Sequence, residues 1–433
     1  MHWLKIKNIR CFAEPDPIEI RPLTLLIGEN STGKTTVMAC LHTLLCFFSG
    51  HGVRFNRGPF EMGSFLEIAR KRDGNGGQAE GFSLSIGGTE DSFEWGFDFS
   101  RKENGLDPRL SEIRYWAPDF RATLSGDRLV LKTASGEASV PVGEFAPEEY
   151  PTDNSPNLAM YYAFMQGCQS DRKLEELYKE SYNGFYWPFS IKEWRGICAP
   201  FHSGSIHALG PIRSRPQRTY TPVQDMEDPE GSHASAYLAR LSRYDKDGWR
   251  KFKQRLDRIG TALDLFKSIS IRSHGKNPSD PFQIELKVAP GAAGNLISDM
   301  GYGVGQMLPV LVDVLRARER ELFLIQQPEI HLHPRGQAEL GSFFGRMAKE
   351  GKHTFLVETH SDYLLDRVRT DVRDKEHPLG AGDVSILYFE RARKGSEVKV
   401  YNMTLDEQGN FRNAPDSYRD FFIKEHQRFL GID

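Results

Sequence analysis

The stretch Leu23-Thr-Leu-Leu-Ile-Gly-Glu-Asn-Ser-Thr-Gly-Lys-Thr-Thr36, continued by Val-Met-Ala-Cys-Leu-His-Thr-Leu-Leu-Cys-Phe-Phe48, decides how the chain is read. It is a short apolar strand, a glycine-bounded loop and an apolar helix, in that order. Gly28 and Gly33 bracket four residues ahead of Lys34 and Thr35, an ungapped match to G-x-x-x-x-G-K-[ST]. A triphosphate crowds negative oxygens together, so a loop that holds one must turn without side-chain obstruction and aim backbone N–H groups inward. The two glycines permit that turn. Lys34 can bridge the β- and γ-phosphates, the Thr35 hydroxyl can sit on Mg²⁺, and the helix offers its positive N-terminal end to the anion. Asn30, Ser31, Thr32 and Thr36 complete the expected cradle. The reading is a nucleoside-triphosphate site. An accidental glycine loop is a poor rival, because the motif stands between a strand and a helix.

A chain of 433 residues has room for two or three domain-sized units, or for one large α/β unit carrying insertions. The formal charge of −3 gives no overall basic bias, so charge does not argue for nucleic acid, although a local basic face is compatible with it. None of the five cysteines, Cys11, Cys40, Cys46, Cys168 and Cys198, stands in a C-x-x-C pair, and buried thiols are the plain reading. No apolar run reaches membrane-span length, and Met1–Arg10 lacks the apolar core of a signal peptide. A cytoplasmic protein without a membrane partner is expected.

Around the phosphate strand, Leu4–Ile9 alternates with strand period and Ile18–Ile20 forms a second short strand after Pro15 and Pro17, which predicts two antiparallel strands flanking the phosphate strand. His51 to Gly81 reads as a loop with a polar tip. Phe82–Ile86, Ser92–Phe99, Ile113–Trp116 and Leu129–Lys132 have strand composition between turn residues and predict a β-hairpin layer. Asn157–Tyr182 has helical spacing. The aromatics of Tyr182–Phe201 read as core more readily than as a base-stacking platform. His207-Ala-Leu-Gly-Pro-Ile-Arg-Ser-Arg-Pro leads to a loop, and Ala234 to Phe266 reads as an amphipathic helical pair with Gly248 and Gly260 as weak points. Ile269–Ile271 and Phe282–Val288 then bring the chain back to the sheet.

Three later stretches echo the first. Gly301-Tyr-Gly-Val-Gly-Gln306 is a glycine-rich turn opening an apolar helix, again able to offer N–H groups to an anion. Glu321-Leu-Phe-Leu-Ile-Gln-Gln-Pro-Glu-Ile-His-Leu-His-Pro334 is a buried-type strand that stops at polar residues, where P-loop enzymes place a carboxylate near Mg²⁺. Thr354-Phe-Leu-Val-Glu-Thr-His-Ser-Asp362 is a further buried strand, ending at His360, a residue placed to sense a γ-phosphate.

Taken together, Gly28–Thr36, Gly301–Gln306, Ile325–Pro334 and Val357–Asp362 resemble the ABC-type P-loop ATPase heads of the structural-maintenance and overcoming-lysogenization-defect class, AAA proteins that include a bacterial subgroup associated with anti-phage defence. The likeness covers roughly residues 1–70 and 200–433. The fold it implies is α/β: a mixed sheet with flanking helices and an antiparallel β layer, carrying an inserted β and helical region. On that division, 1–70 is the lobe with the P-loop and 71–205 the insertion. Residues 206–290 are a short helical arm with return strands, and 291–433 the lobe with the signature turn, Walker B strand, switch histidine and C-terminal cap. The resemblance implies ATP and Mg²⁺ as cofactors and a homodimer, or higher homo-oligomer, formed through the ATP sites. It further implies Lys34 and Thr35 on phosphate and Mg²⁺, and Gly303, Gly305 and Gln306 in the signature turn. Gln326 falls at the metal position of Walker B, Gln327 at the base position and His360 at the switch, with Arg10–Phe12 near adenine. No counterpart of the expected glutamine stands in Gly58–Phe65.

Two departures bear on mechanism. An acidic residue is usual in the resembled class at the Gln326 position and frequent at Gln327, and an amide cannot act as a general base near neutral pH. The signature serine is replaced by Gly305. The chain is then either a slow ATPase that works as an ATP-dependent clamp, or one in which Gln326 was introduced to trap the ATP state. Glu329 is a candidate substitute carboxylate. His331 and His333 alternate like a metal pair but lack a third ligand at a supporting spacing. Glu358 and Asp362 read as partners orienting His360 more readily than as catalytic acids. Only 73 residues follow His360. That predicts no Toprim nuclease domain and places any destructive activity on a separate effector. A head that clamps or repairs duplex DNA directly is the alternative, with DNA as an open partner class, and a transport ATPase subunit is a distant third.

Overall fold

The structure is a computed structural model that describes residues 2–14, 16–48, 52–72, 77–88, 93–102, 106–118, 120–126, 128–133, 136–141, 206–221, 228–275, 277, 279–392 and 397–431. The expected helices of Asn157–Tyr182, the aromatic run of Tyr182–Phe201, Cys168 and Cys198 lie outside the described residues.

The chain opens with β1 (His2–Lys7), β2 (Ile18–Ile20), β3 (Leu23–Gly28) and α1 (Lys34–Phe48). A small ribbon, β4 (Asn56–Arg57) and β5 (Phe60–Glu61), precedes the single turn α2 (Phe65–Ile68). Six strands follow: β6 (Gly81–Gly88), β7 (Phe93–Arg101), β8 (Pro108–Ala117), β9 (Phe120–Ser125), β10 (Arg128–Thr133) and β11 (Gly136–Pro141). Then come β12 (Ile206–Leu209), α3 (His233–Tyr244), α4 (Lys246–Ala262), β13 (Ser268–Ser273), β14 (Phe282–Lys287) and β15 (Asn295–Leu296). The last third holds α5 (Tyr302–Arg316), β16 (Leu322–Gln326), α6 (Pro334–Glu350), β17 (Thr354–Glu358) and α7 (Asp362–Arg373). It closes with β18 (Val384–Arg391), β19 (Val398–Leu405), β20 (Phe411–Arg412) and α8 (Asp416–Leu430).

Two sheets dominate. One is a seven-stranded mixed sheet in the order β12-β16-β17-β3-β18-β19-β20, parallel from β12 to β18 and antiparallel at β19 and β20. Its parallel strands are apolar on both faces, as strands covered on both sides must be: every residue of β16 and β17 is buried. The other is an eight-stranded antiparallel sheet, β11-β10-β9-β8-β7-β6-β1-β2. The strands expected to flank the phosphate strand therefore do not. β1 and β2 pair with each other and β1 with β6, while β3 lies between β17 and β18. The half-buried alternation of Leu4–Ile9 is that of a sheet with one covered face, whereas Leu23–Ile27 is continuously buried.

The helix α1 joins the layers. It touches β1 and β5 on one side and β16 and β17 on the other, and all its residues but Thr35 are buried. A helix apolar all round is one with no solvent face to keep. Phe47 and Phe48 meet Phe97 and Trp95 of β7 edge-on, which ties it to the antiparallel sheet. On the opposite face of the mixed sheet, Leu238 of α3, Phe252 and Leu256 of α4, Leu311 of α5 and Phe344 of α6 form a second core with Phe323 and Phe355. The pair α3 and α4 breaks at Asp245, whose side chain caps α4 by accepting from the Gly248 N–H at 2.8 Å; the expected weak points, Gly248 and Gly260, both lie inside α4. Among the described residues no helix is long and apolar enough to cross a membrane.

Candidate nucleotide site

The site lies where β3, β17 and β16 end side by side, at the carboxyl edge of the parallel strands, which is where such sheets bind ligands. The registers place Leu26 opposite Glu358 and Glu358 opposite Gln326. Gly28 closes β3 with φ +132°, and a Cβ there would come 2.3 Å from the Phe389 carbonyl oxygen of β18. Gly33 has φ +88°, and a Cβ would meet Cys11 Sγ at 2.7 Å and Phe12 Cζ at 2.8 Å. Both positions accept only glycine. Thr32 donates its hydroxyl to Glu29 O at 2.7 Å, Arg391 donates to Ser31 O at 2.9 Å, and Asn30 stands exposed at the tip. Cys11 is half-buried beneath the loop, and Cys40 and Cys46 are buried in α1.

Lys34 is buried and donates to Gly28 O at 3.1 Å and Glu29 O at 2.6 Å, so the ammonium occupies the loop's own carbonyls. Desolvation pulls its pKa down, against the pull of Glu358 and Glu29. Thr35 is exposed, and its hydroxyl donates to Glu358 Oε2 at 2.8 Å. Burial raises the Glu358 pKa, opposed by that hydrogen bond and by Lys34. His360 follows two residues on. It is exposed, and its pKa is lowered by desolvation and by Lys34, so the imidazole is neutral near pH 7 and stands in the field of the same lysine. Lys34, Thr35, Glu358 and His360 therefore come together as one constellation. The expectation that Glu358 mainly orients His360 is corrected: its described partner is Thr35.

Arg10 stands at the edge of the loop. Its guanidinium donates to Thr36 Oγ1 at 3.3 Å and to Met62 O at 3.1 Å, and with Thr35 it lines a cleft of about 460 Å³ beside Gly58, Phe60 and Glu61. Arg10 thus sits on the Thr35 side of the loop, and the buried Thr36 hydroxyl serves Arg10.

The second half of the site is organised by a residue the sequence did not single out. Arg213, only 2 % exposed, donates from Nη2 to Gln326 O at 2.9 Å and from Nη1 to Gln306 O at 3.4 Å. Its backbone N–H donates to Gln306 Oε1 at 3.2 Å, and Gln306 Nε2 donates to Arg213 O at 3.1 Å. Burial pushes the Arg213 pKa down to about 10, against the stabilising charge of Glu329. Both ends of the Gln306 side-chain amide are thus bonded to the Arg213 backbone. Gly303 and Gly305 are buried as well. A Cβ at 303 would lie 2.5 Å from His331 O, and one at 305 would lie 2.2 Å from Pro216 Cγ. Glycine at 305 therefore has a local cause, since Pro216 fills the space that a side chain there would need. Gly301 and Tyr302 are the exposed part of the turn, with Tyr302 edge-on to His331 at 4.9 Å.

At the end of β16, Gln326 is buried and its Nε2 makes no hydrogen bond among the described residues. Gln327 adopts φ +42°, half-buried, with its N–H donating to Glu358 O at 2.7 Å. Glu329, the candidate substitute carboxylate, is bonded at one oxygen, while its buried Oε2 makes no hydrogen bond among the described residues. It is 6 % exposed, its Oε1 accepts the His360 N–H at 2.7 Å, and burial raises its pKa. His333 caps α6, accepting the Arg335 N–H at 3.3 Å. Among the described residues no cluster of three or more His, Cys, Asp or Glu side chains could hold a metal. Mg²⁺ does not require one, because it keeps waters and takes one or two protein oxygens plus phosphate. Thr35 Oγ1 and Glu358 Oε2 are hard oxygen donors that fit it.

Two sequence-family comparisons fall on these two halves. Residues 4–116 match a model described as "AAA domain", and residues 178–366 match one described as "AAA domain, putative AbiEii toxin, Type IV TA system". Over both stretches the chain is therefore similar to AAA domains. No curated protein matches the chain. Solved structures similar to this chain include an Smc head bound to the C-winged helix domain of ScpA, at 12% identity over 94% of this chain and 98% of that one, TM-score 0.47. A Pyrococcus furiosus Smc head with an extended coiled coil, bound to the C-terminal domain of ScpA, is 13% identical over 99% and 100%, TM-score 0.44. The Thermotoga maritima SMC head is 10% identical over 92% and 97%, TM-score 0.42.

Proposed function

We propose that this chain binds Mg·ATP at Lys34 and Thr35, hydrolyses it slowly, and uses the bound nucleotide to pair with a second copy of itself. The observation that carries the reading is the convergence of Lys34, Thr35, Glu358 and His360 at neighbouring strand ends. Lys34 is held in the loop by two backbone carbonyls, which a phosphate can replace as its partners. The N–H groups at the start of α1 face the same place. Mg²⁺, when bound, neutralises charge on the β- and γ-phosphates. Neutral His360 can donate or accept at a phosphate oxygen without adding charge. Slow turnover follows from chemistry: Gln327 has no proton-accepting group, and Glu329 is 6 % exposed with one oxygen bound to the His360 N–H. Pairing would bring the exposed Gly301 and Tyr302 of one copy toward the phosphates of another.

A nucleotide held rather than consumed suits a gate. We infer that the gated activity belongs to a separate effector and that the assembly serves defence against phage. The resemblance to defence-associated heads carries this inference.

Calorimetric binding of ATP with and without Mg²⁺, beside mass by light scattering, tests the proposal. Micromolar binding together with a doubling of mass in Mg·ATP is expected. A chain that binds no nucleotide, or stays monomeric when saturated with it, overturns the reading.

A further inference from the structure

We infer that the divalent cation of the nucleotide site takes its protein carboxylate from Glu358, at the end of β17, in place of Gln326 at the end of β16. The inference rests on the Mg·ATP reading and specifies its metal partner. Three observations lead to it.

The end of β16 carries no charge. Gln326 and Gln327 are amides, and a neutral amide is a poor replacement for an anionic oxygen on a hard cation. The next carboxylate along, Glu329, is buried, accepts the His360 N–H at 2.7 Å and lies in the field of Arg213. Its Oε2 is buried and unbonded among the described residues, and the Thr35 hydroxyl bonds to Glu358 and not to it.

The end of β17 carries one, and in contact with the right hydroxyl. Glu358 Oε2 lies 2.8 Å from Thr35 Oγ1, the hydroxyl that follows the phosphate-binding lysine. Two oxygens this close can share one small cation once the hydroxyl turns its proton away. Glu358 is otherwise buried, at 7 % exposure, and a buried carboxylate needs a partner.

Gln326 and Glu358 are register partners in adjacent parallel strands, so their side chains leave the same face of the sheet side by side. Two carboxylates there would repel and raise each other's pKa. The amide at 326 leaves Glu358 as the one anionic member of the pair. The departure at Gln326 thus reads as a transfer of the carboxylate by one strand. Glu61 is the competing acid, since it lines the cleft beside Thr35, but it is exposed, with no described contact to that hydroxyl.

Manganese tests this, because bound and free Mn²⁺ are resolved by electron paramagnetic resonance without any turnover. The parent chain, loaded with the non-hydrolysable analogue AMP-PNP, is titrated with Mn²⁺. Nucleotide affinity in EDTA is measured alongside. Glu358→Gln is expected to weaken Mn²⁺ retention by tenfold or more while metal-free AMP-PNP affinity stays within threefold. Glu358→Asp, which keeps the charge but shortens the reach, is expected to fall between, and Gln326→Ala and Glu61→Gln to stay within threefold of the parent. Full Mn²⁺ retention in both Glu358 variants, or a loss centred on Gln326→Ala or Glu61→Gln, overturns the inference while leaving nucleotide binding intact. A parent chain that binds no AMP-PNP in either condition overturns the Mg·ATP reading as well, which separates the two failures.

Discussion

The P-loop and the Arg213 network sit in one site but are assembled from very different amounts of chain. Gly28 to Thr36 is one uninterrupted turn, and its shape is set by neighbours in sequence, with Phe389, Cys11 and Phe12 only forbidding a Cβ. The network draws Arg213, Gln306 and Gln326 from separate segments and ties the Arg213 guanidinium and backbone to the Gln306 amide and to the carbonyls of Gln306 and Gln326. A local cradle keeps its side chains available to a ligand, whereas a network built at long range uses them to hold the lobes in register. The contrast makes opposite demands on mutation: the first region should lose binding without losing stability, and the second the reverse.

The sharpest break is expected at Lys34. Its ammonium bonds only to carbonyls of its own loop, so Lys34→Ala should lower ATP affinity by at least a hundredfold in calorimetry while leaving the thermal midpoint nearly unchanged. A large loss of stability would instead make Lys34 part of the framework. Next comes Arg213→Met, which strands the buried carbonyls of Gln306 and Gln326. Leaving a buried acceptor unsatisfied costs about 1–3 kcal/mol. Denaturant unfolding should show that loss even with no nucleotide present.

Gly305→Ser tests the same side more gently. The new Cβ would meet Pro216 Cγ at 2.2 Å, and overpacking of this kind costs about 1–3 kcal/mol. Adding Pro216→Gly should recover part of it. A double variant no more stable than the single one would show that Pro216 is not what excludes the serine.

The smallest effect concerns His42 of α1, whose pKa burial pushes down to about 4, with Arg57 adding to the shift. In the unfolded chain a histidine titrates near pH ~6.5, so the unfolded state binds the proton first as pH falls. The contribution is complete above that pH and is lost on descending toward pH 4, amounting to roughly 1–3 kcal/mol. His42→Gln should flatten the stability profile across that window. An unchanged profile would assign acid sensitivity to other groups.

The same contrast explains what could be read from the sequence. The strand, loop and helix of residues 23–48 were legible because local spacing carries both the motif and the structure, and α1 reads as buried because it is apolar all round. The neighbourhood of β3 was not. Pairing across a sheet is not written in the alternation of either strand, so β1 and β2 were placed beside β3 when they belong to the other layer. Glu358 was seen next to His360 in sequence, but its approach to Thr35 depends on β17 lying beside β3. Arg213 followed a Gly-Pro turn and gave no sign of being buried, since arginine is ordinarily exposed. The one available signal was an unpaired demand: a Walker B end with two amides needs its charge from elsewhere.

The most direct test of the account is steady-state phosphate release by the parent chain beside Gln327→Glu, at saturating Mg·ATP. The account predicts slow turnover in the parent and a rise of at least tenfold in the variant, because a carboxylate restores a proton acceptor at the end of β16. Equal and rapid turnover in both would contradict it, and would place the base on a residue other than Gln327.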